Sequence, residues 1–216
     1  MPVKNEQRKL LSKELIIDTA YHMVDTNGYK SFNMRALGAE LGVSAMAFYS
    51  HFSSNIELLA AVCSRFMDTM DTNPVPGEHW EKTLVRTMGS IRREAIAHPH
   101  LSALLFDEEI ASKGLEEHTE KIVTLHLEQG IPLDVFTKAW AIIDAFLTGF
   151  ALHEATTARE ELSLKTSSEG KHQLAAWQEI YFSAYNEDSF LIGIQIIIEG
   201  IKSIAAPNPS DWYTPK

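Results

Sequence analysis

Apolar residues recur at three- and four-residue spacing along most of the chain, a period that predicts helices. Leu15, Ile16, Thr19, Ala20 and Met23 share one stripe behind Ser12, a good N-cap, and Asn27-Gly28 supplies the stop. A short helix is predicted over 34–40 from Asn33, then a tight turn at Leu41-Gly42-Val43. Ser44 caps a third helix to about 51. After Ser53-Ser54-Asn55, the residues Ile56, Leu59, Ala60, Cys63, Phe66, Met67 and Met70 trace a fourth. Asn73-Pro74-Val75-Pro76-Gly77 is the strongest breaker. Beyond it, helices fit at about 78–97, 99–110, 114–129, 133–160, 173–184 and 187–205, with breaks at Gly130-Ile131-Pro132 and at 166–170. Sustained period-two alternation is absent, so the expected class is all-α.

Two late segments break the amphipathic rule. Val135, Phe136, Ala139, Trp140, Ile142, Ile143, Phe146, Leu147 and Phe150 are apolar nearly all round their helix, and so are Phe190, Leu191, Ile192, Ile194, Ile196, Ile197, Ile198 and Ile201. A helix apolar on every side must be covered on every side. A central core helix would satisfy this. In so small a chain the same helices of a second copy are the natural cover, which predicts a two-fold homodimer. Ile142, Phe146, Phe190, Ile194, Ile197 and Ile201 are the expected interface residues, and Gly193 and Gly200 would permit close approach.

Charge adds a division of labour. The net charge of −10 over 216 residues is unevenly spread. Residues 1–60 carry six Lys/Arg (Lys4, Arg8, Lys9, Lys13, Lys30, Arg35) against six Asp/Glu, so the whole excess lies in 61–216. A neutral leading unit with a basic arm can neutralise phosphates that the acidic remainder would repel. Residues 1–13 are polar, unlike an export signal, and the stretch 139–152, broken by Asp144, is too short to span a bilayer. The single cysteine, Cys63, excludes an intrachain disulfide framework. A cytoplasmic location and no membrane partner are expected.

The helix–turn–helix at 33–51 has the length and the Gly-containing turn of a DNA-reading unit. It sits in a longer string: Asn27-Gly28-Tyr29-Lys30-Ser31-Phe32-Asn33-Met34-Arg35-Ala36-Leu37, Leu41-Gly42-Val43-Ser44, Phe48-Tyr49-Ser50-His51-Phe52 and Glu57-Leu58-Leu59. Over 12–62 this resembles the tetracycline-repressor family of regulators. A weaker resemblance covers 120–205, through Glu128-Gln129-Gly130-Ile131-Pro132-Leu133, Gly149-Phe150-Ala151-Leu152-His153-Glu154 and the final apolar helix. The resemblance implies a pseudo-palindromic double-stranded operator as partner and places Ser44, Ala45, Met46, Ala47 and Tyr49 toward the major groove. Two alanines and a methionine can meet thymine methyls but make no bidentate bonds. Arg35 falls where the family has an arginine able to reach guanine. Tyr49 and His51 are expected on phosphates, with Phe48 and Phe52 in the core. Asn55 stands where the family usually has a lysine; an amide can reach a phosphate but releases no counterion.

The resemblance divides the chain into a DNA-binding domain (1–62), a ligand-binding and dimerisation domain (63–206) and a tail (207–216). It also implies a pocket for a small-molecule effector, with the fourth helix as lever. Candidate lining residues are Phe66, Met67 and Met70 on that helix, then Met88, Leu104, Ile122 and His126. Trp140, Ile143, Leu147 and Phe150 complete the apolar set. Such a lining suits a mostly apolar ligand. Asp144, a carboxylate in an apolar run, must be paired or protonated; it could anchor a ligand, or make a hydrogen bond inside the bundle or across the dimer. His100 falls near a metal-chelating histidine of tetracycline repressors but lacks a clear second ligand nearby; no metal or cofactor is expected. Nucleophile elbows, phosphate loops and zinc-protease strings are absent from the sequence, so no enzyme is expected. A ligand-released repressor is the leading reading. The alternatives are a helix-turn-helix dimer acting through a protein partner, and an all-α enzyme using the apolar cavity.

Overall fold

The computed structural model describes residues 11–164 and 183–205, with side chains at 152 and 155–164 left aside. Among these residues every element is helical, in the order α1 Lys13–Asn27, α2 Met34–Leu41, α3 Asn55–Met67, α4 Trp80–Ala97, α5 Pro99–Ser102, α6 Glu108–Gly114, α7 Glu116–Glu128, α8 Leu133–Leu164 and α9 Glu187–Ile204. Three 3₁₀ segments, Tyr29–Ser31, Ala45–Ser50 and Ala103–Phe106, join them. None of the described helices is long and apolar enough to cross a membrane. The helix expected at 173–184 lies almost wholly outside the described residues.

The chain forms two compact units: Met1–Met67 with His100–Glu116, and Asp68–Pro99 with Glu117–Lys216. Residues 100–116, expected in the second domain, thus pack within the first. The helix expected at 99–110 is broken into α5, a 3₁₀ segment and the start of α6, whereas the one expected at 114–129 is α7. Asp107 caps α6 by accepting from the Ile110 amide at 3.3 Å, and its carboxylate also accepts from the Tyr29 phenol.

In the first unit, side-chain caps set the helix starts. Ser12 accepts from Leu15 N at 3.1 Å, Asn33 from Ala36 N at 2.9 Å, and Ser54 from Glu57 N at 3.1 Å. The Glu57 carboxylate reaches back to Ser53 N and Oγ, both at 2.6 Å, and these bonds hold its pKa below the usual value. Ile16, Ala20, Val24, Leu37, Phe48, Phe52 and Leu58 are buried around α1 to α3. The α6 helix lies directly on α3. A Cβ at Gly114 would come within 2.8 Å of both the Ala60 oxygen and the Cys63 Cβ, so glycine is what allows the contact. Burial there pushes the Cys63 thiol up to about 12, leaving it inert.

In the second unit, α4, α7, α8 and α9 enclose a core of Trp80, Leu84, Met88, Ile122, Phe136, Ile143, Phe190, Ile194 and neighbours. The α8–α9 contact is close: Phe146 stacks on Phe190 at 5.5 Å, and a Cβ at Gly193 would overlap the Phe146 ring. Arg92 of α4 makes a paired hydrogen bond to Glu154 of α8 and lies 5.2 Å from the Phe190 ring centre. Arg86 fastens the preceding loop, bonding Glu78, the Asp71 carboxylate and carbonyl, and the Asn73 carbonyl at 2.7–3.1 Å.

Candidate nucleic-acid interface and effector region

The α2 helix ends at Gly42, whose φ of 67° is left-handed. The Val43 amide then donates to the Gly38 carbonyl at 2.9 Å, a six-to-one closure that turns the chain sharply. Gly38 makes the turn possible: a Cβ there would lie 2.7 Å from the Val43 oxygen and 3.3 Å from the Ala45 nitrogen. Sequence reasoning passed over this glycine, although one inside a helix costs about 1 kcal/mol against alanine and so signals a packing need.

The reading segment Ala45–Ser50 is a 3₁₀ rather than the α-helix expected from periodicity. Ala47 N bonds to Ser44 O at 2.9 Å and His51 N to Phe48 O at 2.8 Å, three residues back in each case. Three residues per turn align Ala45, Phe48 and His51 on one face and Met46 with Tyr49 on another. Burial follows that division. Phe48 is fully buried and Ala45 and His51 half-buried, while Met46 and Tyr49 are exposed at 73% and 52%.

Arg35 is exposed on α2, Ser44 is exposed and Ala47 half-buried beside Met46, so these expected DNA residues are accessible, as is Tyr49. His51 is placed only partly outward, and Asn55 buries its Oδ1 without a partner. Residues 100–116 bring four more carboxylates and one lysine into this unit, making it more acidic than 1–60 alone. The reading segment itself is uncharged.

The expected effector-pocket residues divide between the two units. Phe66, Met67 and Leu104 are buried in the first, where His100 Nδ1 donates to the Asp25 carbonyl at 2.8 Å and ties α5 to the end of α1. His100 is therefore corrected from a pocket group to a brace of the first unit. Its ring pairs with a backbone that sequence spacing does not bring near. Met70, Met88, Ile122, His126 and Ile143 are buried in the second unit, with Trp140, Leu147 and Phe150 packed partly buried on the same core. Asp144 is exposed, beside Ala141, Ile142, Ala145 and Thr148, so within the chain it needs no partner. It points away from the core, which corrects its placement as a pocket anchor.

Polar atoms do enter that second core. Thr83, Thr87 and His126 are buried. His126 lies against Phe136 with ring centres 5.5 Å apart, and its Nδ1 is buried without a hydrogen-bond partner. Burial, aided by the Arg86 cation, lowers its pKa to about 4, so the ring is neutral at pH 7. One turn on, Gln129 donates to Thr83 Oγ1 at 2.5 Å and to the Glu78 carbonyl at 3.2 Å, leaving its buried Oε1 unpartnered. Neither Gln129 nor Thr83 was expected at the site: Gln129 entered only as part of the string 128–133, and Thr83 belongs to no motif. Among the described residues, His, Cys, Asp and Glu form no group of three or more that could hold a metal ion.

The interface residues expected on the last helix require the largest correction. Phe190, Ile194, Ile197 and Ile201 are buried inside the chain's own core, and Phe146 packs between α8 and α9. What the chain leaves open is the opposite face: Leu191, Ile192, Ile196 and Ile204 on α9, exposed at 44–67%, and Ile142 on α8 at 58%. Gly200 has open space where a Cβ would stand. Only Ile142 of the expected six keeps an outward position.

The first unit thus presents a capped turn and an uncharged segment in the form of a helix-turn-helix. Comparison with known proteins identifies its kind. Residues 16–62 match "Bacterial regulatory proteins, tetR family" and residues 73–205 match "Tetracyclin repressor-like, C-terminal domain". The chain belongs to the tetR family and is a DNA-binding transcriptional regulator, not an enzyme. Among its relatives, HTH-type transcriptional repressor DrrR1 of Streptomyces coeruleorubidus is 23% identical, over 91% of this chain and 79% of that protein. Tetracycline repressor protein class C of Escherichia coli is 24% identical, over 90% and 92%. In fold, the chain is similar to the Streptomyces coelicolor protein ActR solved in complex with (S)-DNPA. The TM-score is 0.66 and the identity 21%, over 90% of this chain and 98% of that one.

Proposed function

We propose that this regulator is a cytoplasmic homodimer that represses from a pseudo-palindromic operator and leaves it on binding a small, largely apolar effector. The observation that carries the DNA half is the open side of the turn. Arg35, Ser44, Met46 and Tyr49 are exposed while Phe48 and Phe52 are buried, and of the four only Ser44, which caps the segment, is engaged locally. Arg35 is assigned to a guanine edge, Tyr49 and His51 to phosphates, and Asn55 to a lesser role because its amide oxygen is turned inward. The dimer is assigned to the open face of α8 and α9, where exposed isoleucines surround Gly200. Two copies put two reading segments about one helical turn, roughly 34–36 Å, apart on DNA.

The effector is assigned to the core of the second unit. Met88, Ile122, Trp140, Ile143, Leu147 and Phe150 supply apolar contact, the unpartnered Gln129 Oε1 an acceptor, and the unpartnered His126 Nδ1 a donor or an acceptor according to its tautomer. A neutral imidazole nitrogen and an amide oxygen favour an aromatic or alicyclic ligand bearing a hydroxyl, which can meet either. By linkage, an effector that lowers operator affinity by some factor must itself bind the operator complex more weakly by that factor. Titrating candidate compounds into the free protein and into its complex with a selected duplex tests both halves. Equal affinities in the two titrations would reject the assignment of an inducer.

A further inference from the structure

We infer that the segment Ala45–Ser50 reads DNA through the methyl groups of thymine, with Met46 as the side chain that makes the contact. The inference rests on the DNA-binding reading above and names what that surface recognises. Between residues 41 and 53 the chain has no Lys, Arg, Asp, Glu, Asn or Gln, the side chains that make bidentate bonds to base edges. Ser44 and Ser50 each make one local backbone bond. Ser44 Oγ accepts from the Met46 amide at 3.3 Å, and Ser50 Oγ donates to the Ala47 carbonyl at 2.9 Å. What remains outward is Met46, at 73% the most exposed large apolar side chain among the described residues, with Ala47 beside it and Tyr49 one 3₁₀ turn on.

Such a side chain contributes little to folding. Its thioether is long, unbranched and polarisable, suited to an apolar surface of irregular outline. In the major groove the apolar group that distinguishes one base pair from another is the C5-methyl of thymine. The half-site therefore carries T·A pairs beneath Met46, and Arg35, on α2, supplies the polar part of the readout at a separate position.

The test begins with selection from a pool of duplexes with random centres, using the purified full-length chain. The enriched duplex is then resynthesised with 2′-deoxyuridine replacing each thymine in turn, which deletes one methyl and leaves base pairing intact. At one or two positions per half-site, uracil is expected to weaken binding about fourfold for each methyl lost. Met46→Ala, a change on the exposed surface, is expected to bind the thymine duplex as weakly as the parent protein binds the uracil duplex, and to be indifferent to the exchange. Uracil without effect at every position, or a uracil penalty undiminished in Met46→Ala, would overturn the inference while leaving DNA binding intact. Failure to enrich any sequence would instead overturn the DNA-binding reading on which it rests.

Discussion

Ile194 and Ile196 lie two residues apart on α9, yet the structure assigns them to different free energies. Ile194 is fully buried in its own chain and Ile196 is 67% exposed. Complete burial of an isoleucine side chain is worth about 1.5–3 kcal/mol, so Ile196 has about 1–2 kcal/mol left to give to a partner. In an isologous dimer each substitution counts twice, which makes Ile196→Ala cost about 2–4 kcal/mol of association. That is roughly a 30- to 1,000-fold weaker dimer. Ile194→Ala instead opens a cavity and costs about 2–5 kcal/mol of folding. Sedimentation equilibrium over a dilution series reads the first effect. Urea unfolding of the dissociated chain, where association contributes nothing, reads the second. Ile196→Ala is expected to shift the dimer equilibrium and leave single-chain unfolding unchanged, with Ile194→Ala doing the reverse. If Ile196→Ala dimerises like the parent, or Ile194→Ala unfolds like the parent but fails to associate, the face assigned to the partner is the wrong one.

His126 should make folding sensitive to acid. Its pKa is lowered from 6.5 to about 4, so its contribution is complete above pH 6.5 and is lost as pH falls toward 4, because the unfolded chain takes up the proton first. The loss amounts to about 3 kcal/mol at pH 4. Urea unfolding of His126→Phe across this range should show a correspondingly flatter pH dependence, and an unchanged slope would remove His126 as the cause. Gly38→Ala should destabilise the first unit by about 1–3 kcal/mol, outweighing a helix-propensity gain of about 1 kcal/mol, since the obstructing atoms are backbone. A thermal melt at or above the parent's would show that the turn has room. Arg35→Ala should relax preference at one position per half-site at a cost of about 1–3 kcal/mol, while Tyr49→Phe weakens all duplexes alike. Competition binding on point-substituted duplexes separates the two, and an Arg35→Ala protein with intact preference would make that arginine a bystander.

Local signals in the sequence determined α1, α2 and α3, though not the 3₁₀ form of Ala45–Ser50. Ser12 and Asn33 cap the helices they precede, Gly28 and Gly42 end α1 and α2 with positive φ, and each device acts within about five residues of itself. The all-helical class and the family motif were legible for the same reason. Tertiary structure decided what depends on distant partners. An all-apolar helix such as 187–204 carries no phase in its hydrophobic pattern, so nothing local says which isoleucines turn inward. The Phe146 ring over Gly193 and the stack on Phe190 set that rotation. Asp144 could be read as buried only while α8 was taken to be enclosed on every side; one side of it is left open by the chain. Residues 100–116 carry no mark of belonging to the first unit, because their attachment is made by the close fit of Gly114 on α3 and by His100 reaching the Asp25 carbonyl. Steric fit between segments remote in sequence is a property of the folded chain, and periodicity cannot encode it.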